Sequence, residues 1–297
     1  MKITLYPLPD LVEEHAAPDA AIFIDVLRAT TTMTTALAAG AARIIPIADP
    51  QEALRLKKRA IESARLKEDD ILLGGERHAV RIAGFDLGNS PKEYTADKVA
   101  GKTIFFSTTN GTRAILSLRG GRTKKFLGSF VAASALTRRI VSEKAITSLA
   151  IICAGTDRQY TEEDLLLAGY FVEQIASARE NELVESGDFD SGDFDSGVEL
   201  NTAAQTYRRF WQRFAAEFPA DVAGEGKRGT AGQGNGEAAG KAIEPALSRA
   251  LRESRGGQNL VRAGLAGDIA DSARLDRFDL VAEYRLGEIV RTAGGEK

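Results

Sequence analysis

Short apolar runs alternate with segments of helical periodicity along most of this chain. An apolar run between polar turns is typical of a buried strand, whereas apolar positions spaced three and four apart are typical of a helix packed on a sheet. The apolar runs predict strands at residues 21–24, 43–47, 71–73, 103–106, 125–127, 148–152 and 280–284. The helical periodicity predicts helices at residues 31–39, 50–65, 111–118, 131–141, 162–179, 199–218, 244–253 and 258–263. This alternation predicts an α/β fold, with a layered α/β/α architecture around a mostly parallel or mixed sheet.

Two segments lack the pattern of a packed core. Residues 185–198 contain the direct repeat SGDFDSGDFDSG, and residues 220–240 are rich in glycine, alanine and polar residues. Such compositions are typical of mobile surface insertions. We therefore expect one α/β domain formed by residues 1–184 and 241–297, interrupted by an acidic repeat insertion, a helix at residues 199–219 and a flexible Gly-rich insertion.

Composition narrows the class of protein. The chain has 297 residues, of which 43% are hydrophobic, and a net charge of -3 at pH 7. This balance is expected of an ordinary globular protein and argues against non-specific binding of nucleic acid, which usually needs a basic face. No apolar run approaches the roughly 20 residues that span a bilayer, and the N-terminal residues lack the basic start and apolar centre of a signal peptide. We expect a cytoplasmic protein with no membrane partner.

The scarcity of cysteine and histidine limits the metals that this protein could bind. Cys153 is the single cysteine, and His15 and His78 are the two histidines. An internal disulfide and a multi-thiolate zinc site are therefore excluded, and a His-rich metal site is disfavoured. A metal ion, if one is bound, should be a hard cation held by oxygen ligands.

Two turns that follow apolar runs are crowded with hydroxyl groups. The first turn lies in IDVLRATTT and includes Thr30 and Thr31. One capping hydroxyl would suffice at each helix start, and the free backbone N–H groups there are suited to phosphate oxygens. The second turn lies in STTNGTRA and supplies Thr108, Thr109, Asn110, Gly111 and Thr112. The alternative interpretation is that the hydroxyl groups of each turn only cap the helix that follows.

Ionisable residues follow the same predicted strands. In open α/β sheets ligands bind beyond the carboxyl ends of the strands, and Asp25, Glu76 and Cys153 each lie just after a predicted strand. If those strands are parallel and neighbouring, the three side chains face one crevice. The two carboxylates could hold magnesium, and nearby arginines could pair with phosphate or sulfonate. These arginines are Arg28, Arg77 and Arg113.

Taken in order, the motifs resemble those of the 2-phosphosulfolactate phosphatase family. The matching segments are IDVLRATTT, GGER, FDLGNSP, STTNGTRA, CAG, EEDLLLAG and SRGGQNLVRAGLAGDI. They cover nearly the whole chain apart from the two insertions, and the ordered set is far more specific than any one of its members. The resemblance implies a magnesium-dependent phosphatase of coenzyme M biosynthesis, which hydrolyses (R)-2-phospho-3-sulfolactate to 3-sulfolactate and phosphate.

The motifs and the resemblance together indicate roles for individual residues. Asp25 and Glu76 are the candidate ligands of Mg²⁺. The candidate catalytic residues are Asp25, Arg28, Glu76, Cys153 and Asp164. The candidate substrate-binding residues are Thr30, Thr31, Arg77, Asn89, Ser90, Thr108, Thr109, Asn110, Gly111, Thr112 and Arg113.

The sequence leaves several alternatives open. Asp25 could be the nucleophile or a metal ligand, Cys153 could attack in its place, or a magnesium-bound water could attack directly. The substrate could be another small phosphorylated hydroxy acid, and the chain could be a non-catalytic anion-binding relative. In every case the expected partner is a small anionic molecule, and a homodimer is the default quaternary structure.

Overall fold

One large sheet covered by helices organises this protein in the computed structural model, which describes residues 1–63, 65–118, 122–186, 197–217 and 235–293. The strands are β1 (Lys2–Tyr6), β2 (Ala20–Ile24), β3 (Arg43–Pro46), β4 (Ile71–Arg77), β5 (Val80–Arg81), β6 (Thr103–Ser107), β7 (Lys124–Gly128), β8 (Ser148–Cys153), β9 (Glu199–Leu200), β10 (Val281–Arg285) and β11 (Glu288–Thr292). The helices are α1 (Ala29–Ala38), α2 (Pro50–Glu62), α3 (Ala96–Val99), α4 (Gly111–Ser117), α5 (Ala133–Ser142), α6 (Glu162–Ser186), α7 (Thr202–Ala216), α8 (Asn235–Glu253), α9 (Arg255–Arg262) and α10 (Gly267–Ser272).

The sheet consists of two parallel blocks joined by an antiparallel hairpin. Its strand order is β5-β4-β6-β3-β11-β10-β7-β2-β8-β1-β9. One block contains β7, β2, β8, β1 and β9, and the other contains β3, β6 and β4. The hairpin of β10 and β11 pairs antiparallel with β7 on one side and with β3 on the other. The predicted layered α/β fold with a mixed sheet is therefore confirmed.

Alternate side chains of the central strand β2 pack into two different cores. Ile22 and Ile24 contact the core that includes residues of α5, α6 and α7. Ala21 and Phe23 contact the core around α1. Every residue of β2 is buried, as expected for a strand that helices cover on both faces.

Helix α1 lies inside the curve of the sheet. Its residues from Ala29 to Leu37 are all buried, although many of them are threonines. The core around α1 includes side chains from β2, β3, β6, β7, β8, β10 and β11, so the sheet must curl around this helix. Buried hydroxyls are stable there because they donate to backbone carbonyls, as Thr30 does to Asp25 and Thr31 to Val26.

The curl of the sheet decides where the functional turns meet. Six steps separate β2 from β4 in the strand order, and β4 and β6 run opposite to β2 across the hairpin. An average twist of about 20–25° per step turns the strand direction by about 120–150° over that span. The twist thus brings the carboxyl ends of the reversed block back towards the carboxyl end of β2.

Two strands absent from the sequence prediction lie inside the sheet. In β1, Ile3 and Leu5 are buried and alternate with more accessible residues, so the segment has no continuous apolar run. In β11 only Ile289 is buried. Both strands pair with neighbours on two sides, so long-range pairing, rather than local apolar character, determines them.

The predicted insertions fall largely outside the described residues. Helix α6 continues to Ser186, beyond its predicted end at residue 179, and residues 187–196 of the acidic repeat are not described. Helix α8 begins at Asn235, within the predicted Gly-rich segment, and residues 220–234 of that segment are not described. In the described part of the chain, no helix combines the length and apolar character required to cross a membrane.

Candidate active site

A cavity of about 410 Å³ opens where several strands of the sheet end. Turns that follow β2, β4, β6 and β8 line it, together with one face of α9. The predicted site residues that border it are Asp25, Arg28, Glu76, Asn89, Thr109 and Asn110. The other lining residues are Leu27, His78, Ala79, Thr156, Asp157, Gly256, Asn259, Leu260, Arg262 and Ala263.

Asp25 occupies the turn between β2 and α1 and is 8% exposed. Its Oδ1 atom accepts the N–H of Ala29 at 3.2 Å, so the first turn of α1 holds the carboxylate in place. Burial raises the pKa of Asp25 to about 7, the Ala29 N–H and Arg28 lower it, and the charges of Glu76 and Glu163 raise it further. Burial therefore favours the protonated form of Asp25, and a cation beside it would favour the carboxylate.

A glycine permits α4 to approach Asp25. A Cβ atom on Gly111 would lie 2.5 Å from Cβ of Ala29 and 2.8 Å from Oδ2 of Asp25. Any side chain at this position would push α4 away from α1. Gly111 does not border the cavity, whereas Thr109 and Asn110, which precede it, do.

Glu76 joins the turns that follow β4 and β6. Its Oε1 atom accepts the N–H of Thr109 at 3.0 Å, and its Oε2 atom accepts the N–H of Ala79 at 2.8 Å. The preceding residue, Gly75, has a φ of 143°, and a Cβ atom there would lie 2.0 Å from the carbonyl oxygen of Ser107. The sequence GGER thus lets β4 approach β6 closely enough for Glu76 to reach the second turn.

Arg28 forms a buried ion pair that the sequence analysis did not predict. Its Nη1 atom donates to Oδ2 of Asp268 at 2.8 Å, and both side chains are 3% exposed. The Oδ1 atom of Asp268 accepts a hydrogen bond from Ser90 at 2.6 Å. A second guanidinium nitrogen of Arg28 donates to the carbonyl of Ala79 at 3.3 Å. Asp268 therefore fixes the guanidinium of Arg28 at the edge of the cavity. Ser90 does not border the cavity, but its hydrogen bond holds the carboxylate of Asp268.

Comparison with known proteins identifies the family. The family model described as 2-phosphosulpholactate phosphatase matches residues 6–218. The chain belongs to this family. A relative from Symbiobacterium thermophilum, named probable 2-phosphosulfolactate phosphatase, is 34% identical over 278 residues, which are 93% of this chain and 96% of the relative. One with the same name from Caldicellulosiruptor saccharolyticus is 42% identical over 174 residues, or 58% of this chain and 68% of that protein.

Within this member of the phosphatase family, Asp164 lies beneath the cavity rather than at its surface. Its two carboxylate oxygens accept the N–H groups of Val26 at 2.9 Å and Gly155 at 3.0 Å. The side chain thereby ties the turn after β2 to the turn after β8. Burial raises the pKa of Asp164 well above its ordinary value, and the nearby charges of Glu163 and Asp25 raise it further.

Cys153 ends β8 and is fully buried in the core shared with α6. Burial raises the pKa of its thiol well above the ordinary value, with added contributions from Asp164 and Glu163. The thiol form therefore predominates at neutral pH, whereas nucleophilic attack requires the thiolate. Cys153 does not border the cavity.

The predicted hydroxyl clusters mainly hold the backbone. Thr108 and Thr112 exchange hydrogen bonds, since the N–H of Thr108 donates to Oγ1 of Thr112 at 3.3 Å and the N–H of Thr112 donates back at 3.2 Å. Thr30 and Thr31 donate to carbonyls of the preceding turn, at 2.8 and 2.9 Å. None of these four side chains borders the cavity, whereas Thr109 does.

The other two predicted arginines lie away from the cavity lining. Arg77 donates to the carbonyl oxygens of Glu76 at 2.6 Å and Ala48 at 2.8 Å, and to the hydroxyl of Ser107 at 2.9 Å. It therefore braces the end of β4, which carries Glu76. Arg113 projects from α4, and its Nε and Nη2 atoms are buried without a hydrogen-bond partner among the described residues.

The oxygen donors of the cavity fit a hard cation whose remaining ligands would come from water and the substrate. Asp25 and Glu76 both border the cavity, and so does Asn89, whose buried Oδ1 atom has no hydrogen-bond partner in the described ranges. Among the described residues, no group of three or more histidine, cysteine, aspartate or glutamate side chains is arranged to hold a metal ion. Mg²⁺ needs no such group, because it is commonly bound by one or two carboxylates, water and substrate phosphate.

The sequence analysis missed the contribution of α9 and α10. Gly256, Asn259, Arg262 and the buried Asp268 all come from SRGGQNLVRAGLAGDI, which was recognised only as part of the resemblance. The signal that could have identified Asn259 and Arg262 is their spacing of three residues, which puts two polar side chains close together on one helix.

Proposed function

We propose that this chain is a phosphatase that hydrolyses (R)-2-phospho-3-sulfolactate to 3-sulfolactate and phosphate. The observation that carries the proposal is the coincidence of the family match with a cavity whose lining includes Asp25, Glu76 and Arg28. Relatives at 34% and 42% identity carry the name of this activity. A compact, highly charged substrate suits a cavity of about 410 Å³ in which cationic and carboxylate groups lie side by side.

We further propose that the reaction depends on Mg²⁺ held by Asp25 and Glu76. The ion would neutralise phosphate charge and lower the pKa of a coordinated water. A cation beside Asp25 favours its ionised form, and this would offset the burial that raises the pKa of this carboxylate to about 7. The amide oxygen of Asn89 is a further hard donor at the same cavity.

Asp25 is the group that we place at the reacting phosphate, either as a nucleophile or as a metal ligand. Arg28 stabilises negative charge at the cavity edge, and Asp268 and Ser90 hold its guanidinium. Asp164 is a positioning residue, because it holds the backbone of the Asp25 turn through the N–H of Val26. Cys153 has no role in this mechanism, since its thiol is buried and its pKa is raised.

Phosphate release from purified protein tests the proposed function. The substrates are 2-phosphosulfolactate and phospholactate, each with added magnesium and with a chelator. We expect magnesium-dependent turnover that strongly prefers the sulfonated substrate. Equal turnover of both would favour a phosphatase of other small phosphorylated hydroxy acids, and turnover of neither would favour a non-catalytic anion-binding relative. Undiminished turnover in chelator would contradict the magnesium proposal alone.

A further inference from the structure

Helix α9 forms a wall of the cavity that the mechanism above does not use. Gly256, Asn259, Leu260 and Ala263 border the cavity and are spaced three, four and seven residues from Gly256, so one face of the helix is turned towards it. Arg262 borders the cavity at the edge of the same face and is exposed. This wall contributes an amide and a guanidinium but no carboxylate.

Arg262 differs from Arg28 in its charge balance. The charge of Arg28 is compensated by Asp268 at 2.8 Å. Asp157, a carboxylate that also borders the cavity, is paired with Arg255 at 3.5 Å and not with Arg262. Arg262 forms no ion pair with any described residue, so it is the arginine of the cavity lining whose charge remains available to an anion.

Asn259 presents donors beside this free charge. The Nη1 atom of Arg262 donates to Oδ1 of Asn259 at 3.4 Å. Because a guanidinium can only donate, this contact directs the amide oxygen towards Arg262 and leaves the amide N–H groups to other partners. A guanidinium and an amide donor side by side suit an anion with several acceptor oxygens.

We propose that Arg262 and Asn259 bind the sulfonate of the substrate and thereby set the preference for sulfonated over unsulfonated phosphate esters. This inference rests on the proposed function. In 2-phosphosulfolactate the phosphate and the carboxylate are attached to one carbon, and the sulfonate lies one methylene further away. With the phosphate at Asp25 and Glu76, the sulfonate is the group that can extend to a different wall, and its three oxygens match the donors of the pair.

Kinetics with two substrates test the assignment. For Arg262→Ala we expect kcat/KM for 2-phosphosulfolactate to fall by roughly 10- to 100-fold, mainly through KM, since a hydrogen bond to a charged group is lost. The kcat/KM for phospholactate should change by less than about twofold. Asn259→Ala should give a smaller loss with the same selectivity. The matched control is Arg252→Ala, an exposed arginine of α8 that does not border the cavity and should leave both substrates unaffected.

Calorimetric binding of 3-sulfolactate and of lactate supplies a readout that does not need turnover. Weaker binding of 3-sulfolactate by Arg262→Ala, with the binding of lactate unchanged, supports the inference even if the wild-type chain hydrolyses nothing, in which case only the proposed function fails. Normal kinetics and binding in Arg262→Ala overturn the inference and leave the proposed function intact. Equal losses for both substrates also overturn it, because they place Arg262 at the phosphate or the carboxylate.

Discussion

At the scale of single residues, the site is a set of buried charged side chains, each held by its own hydrogen-bond partners. Asp25 is held by a helix N–H, Glu76 by two turn N–H groups, and Arg28 by a carboxylate from the far end of the chain. Removing one partner of a buried ion pair leaves the other charge desolvated and uncompensated, which costs more than the pair itself contributes.

The pair formed by Arg28 and Asp268 gives a prediction at this scale. Asp268→Asn should lower the free energy of unfolding by about 3 kcal/mol, because the buried guanidinium loses its counter-charge. It should also reduce kcat, because Arg28 is no longer fixed. Urea unfolding and steady-state kinetics measure the two effects. Asp271→Asn is the matched control, since Asp271 lies on the same helix and pairs at 3.6 Å with Lys92, whose side chain is 55% exposed. Equal stability losses in the two variants would contradict the prediction.

At the scale of elements, close approach of neighbouring strands and helices positions the turns. The parallel pairing of β4 with β6 includes Gly75 opposite Ser107, and Asp86 and Leu87 donate to the carbonyl of Leu73 from the following loop. The close approach of β4 to β6 thus depends on Gly75, where a Cβ atom would not fit.

Gly75→Ala should separate the effect of close contact from that of backbone strain. Gly75 and Gly84 both have positive φ, but a Cβ atom at Gly75 would lie 2.0 Å from the carbonyl oxygen of Ser107, whereas a Cβ atom at Gly84 would have nothing within 4 Å. We expect Gly84→Ala to cost about 1–2 kcal/mol of unfolding free energy and to leave kcat unchanged. Gly75→Ala should cost more and should also lower kcat, since Glu76 moves with β4. Similar unfolding and kinetic results for the two variants would refute this explanation.

Asp19, the residue before β2, gives a prediction about how stability depends on pH. Oδ2 of Asp19, just before β2, accepts hydrogen bonds from the N–H and hydroxyl groups of Thr147 and Ser148 at 2.8–2.9 Å. These bonds, led by the Thr147 hydroxyl, lower the pKa of Asp19 to about 2. A lowered folded-state pKa stabilises the fold fully above the unfolded value of about 3.9, and this contribution is lost as the pH falls towards and through the folded value.

Comparison of wild type with Asp19→Asn measures this contribution. The difference in urea midpoint should be constant from pH 7 to about pH 5 and should shrink as the pH approaches about 2, where the carboxyl becomes protonated. A difference that grows on acidification would have the wrong sign. One that does not vary with pH would show that the charge of Asp19 is irrelevant to its hydrogen bonds.

At the scale of the whole molecule, the site depends on a sheet whose direction reverses and then twists back. Local apolar runs predicted the central strands well, because β2 is apolar throughout and β6 and β8 carry polar residues only at their ends. The condition that the functional strands are parallel neighbours is not met by β2 and β4, which lie six steps apart in the strand order. The sequence predicted β10 but not the place of its hairpin between the two blocks, nor the curl around α1, because both arise from long-range pairing.

The same distinction applies to the cavity. Asp25 and Thr109 lie just after β2 and β6, and Glu76 lies at the end of β4, so their positions could be predicted from the strand ends alone. Asp268 and Arg262 reach the site from α10 and α9, and no local pattern indicates which side of the sheet those helices cover. Their contribution is a consequence of how the C-terminal segment packs.

The Asp25→Asn variant tests the central claim of this account most directly. The substitution preserves shape and removes a buried charge that Glu76 and Glu163 disfavour, so folding should be retained. We predict a loss of at least about 10³-fold in kcat for 2-phosphosulfolactate, with a circular dichroism spectrum and unfolding midpoint no worse than those of wild type, and full activity in the control Asp271→Asn. Turnover by folded Asp25→Asn within a few-fold of wild type would contradict the placement of Asp25 at the reacting phosphate.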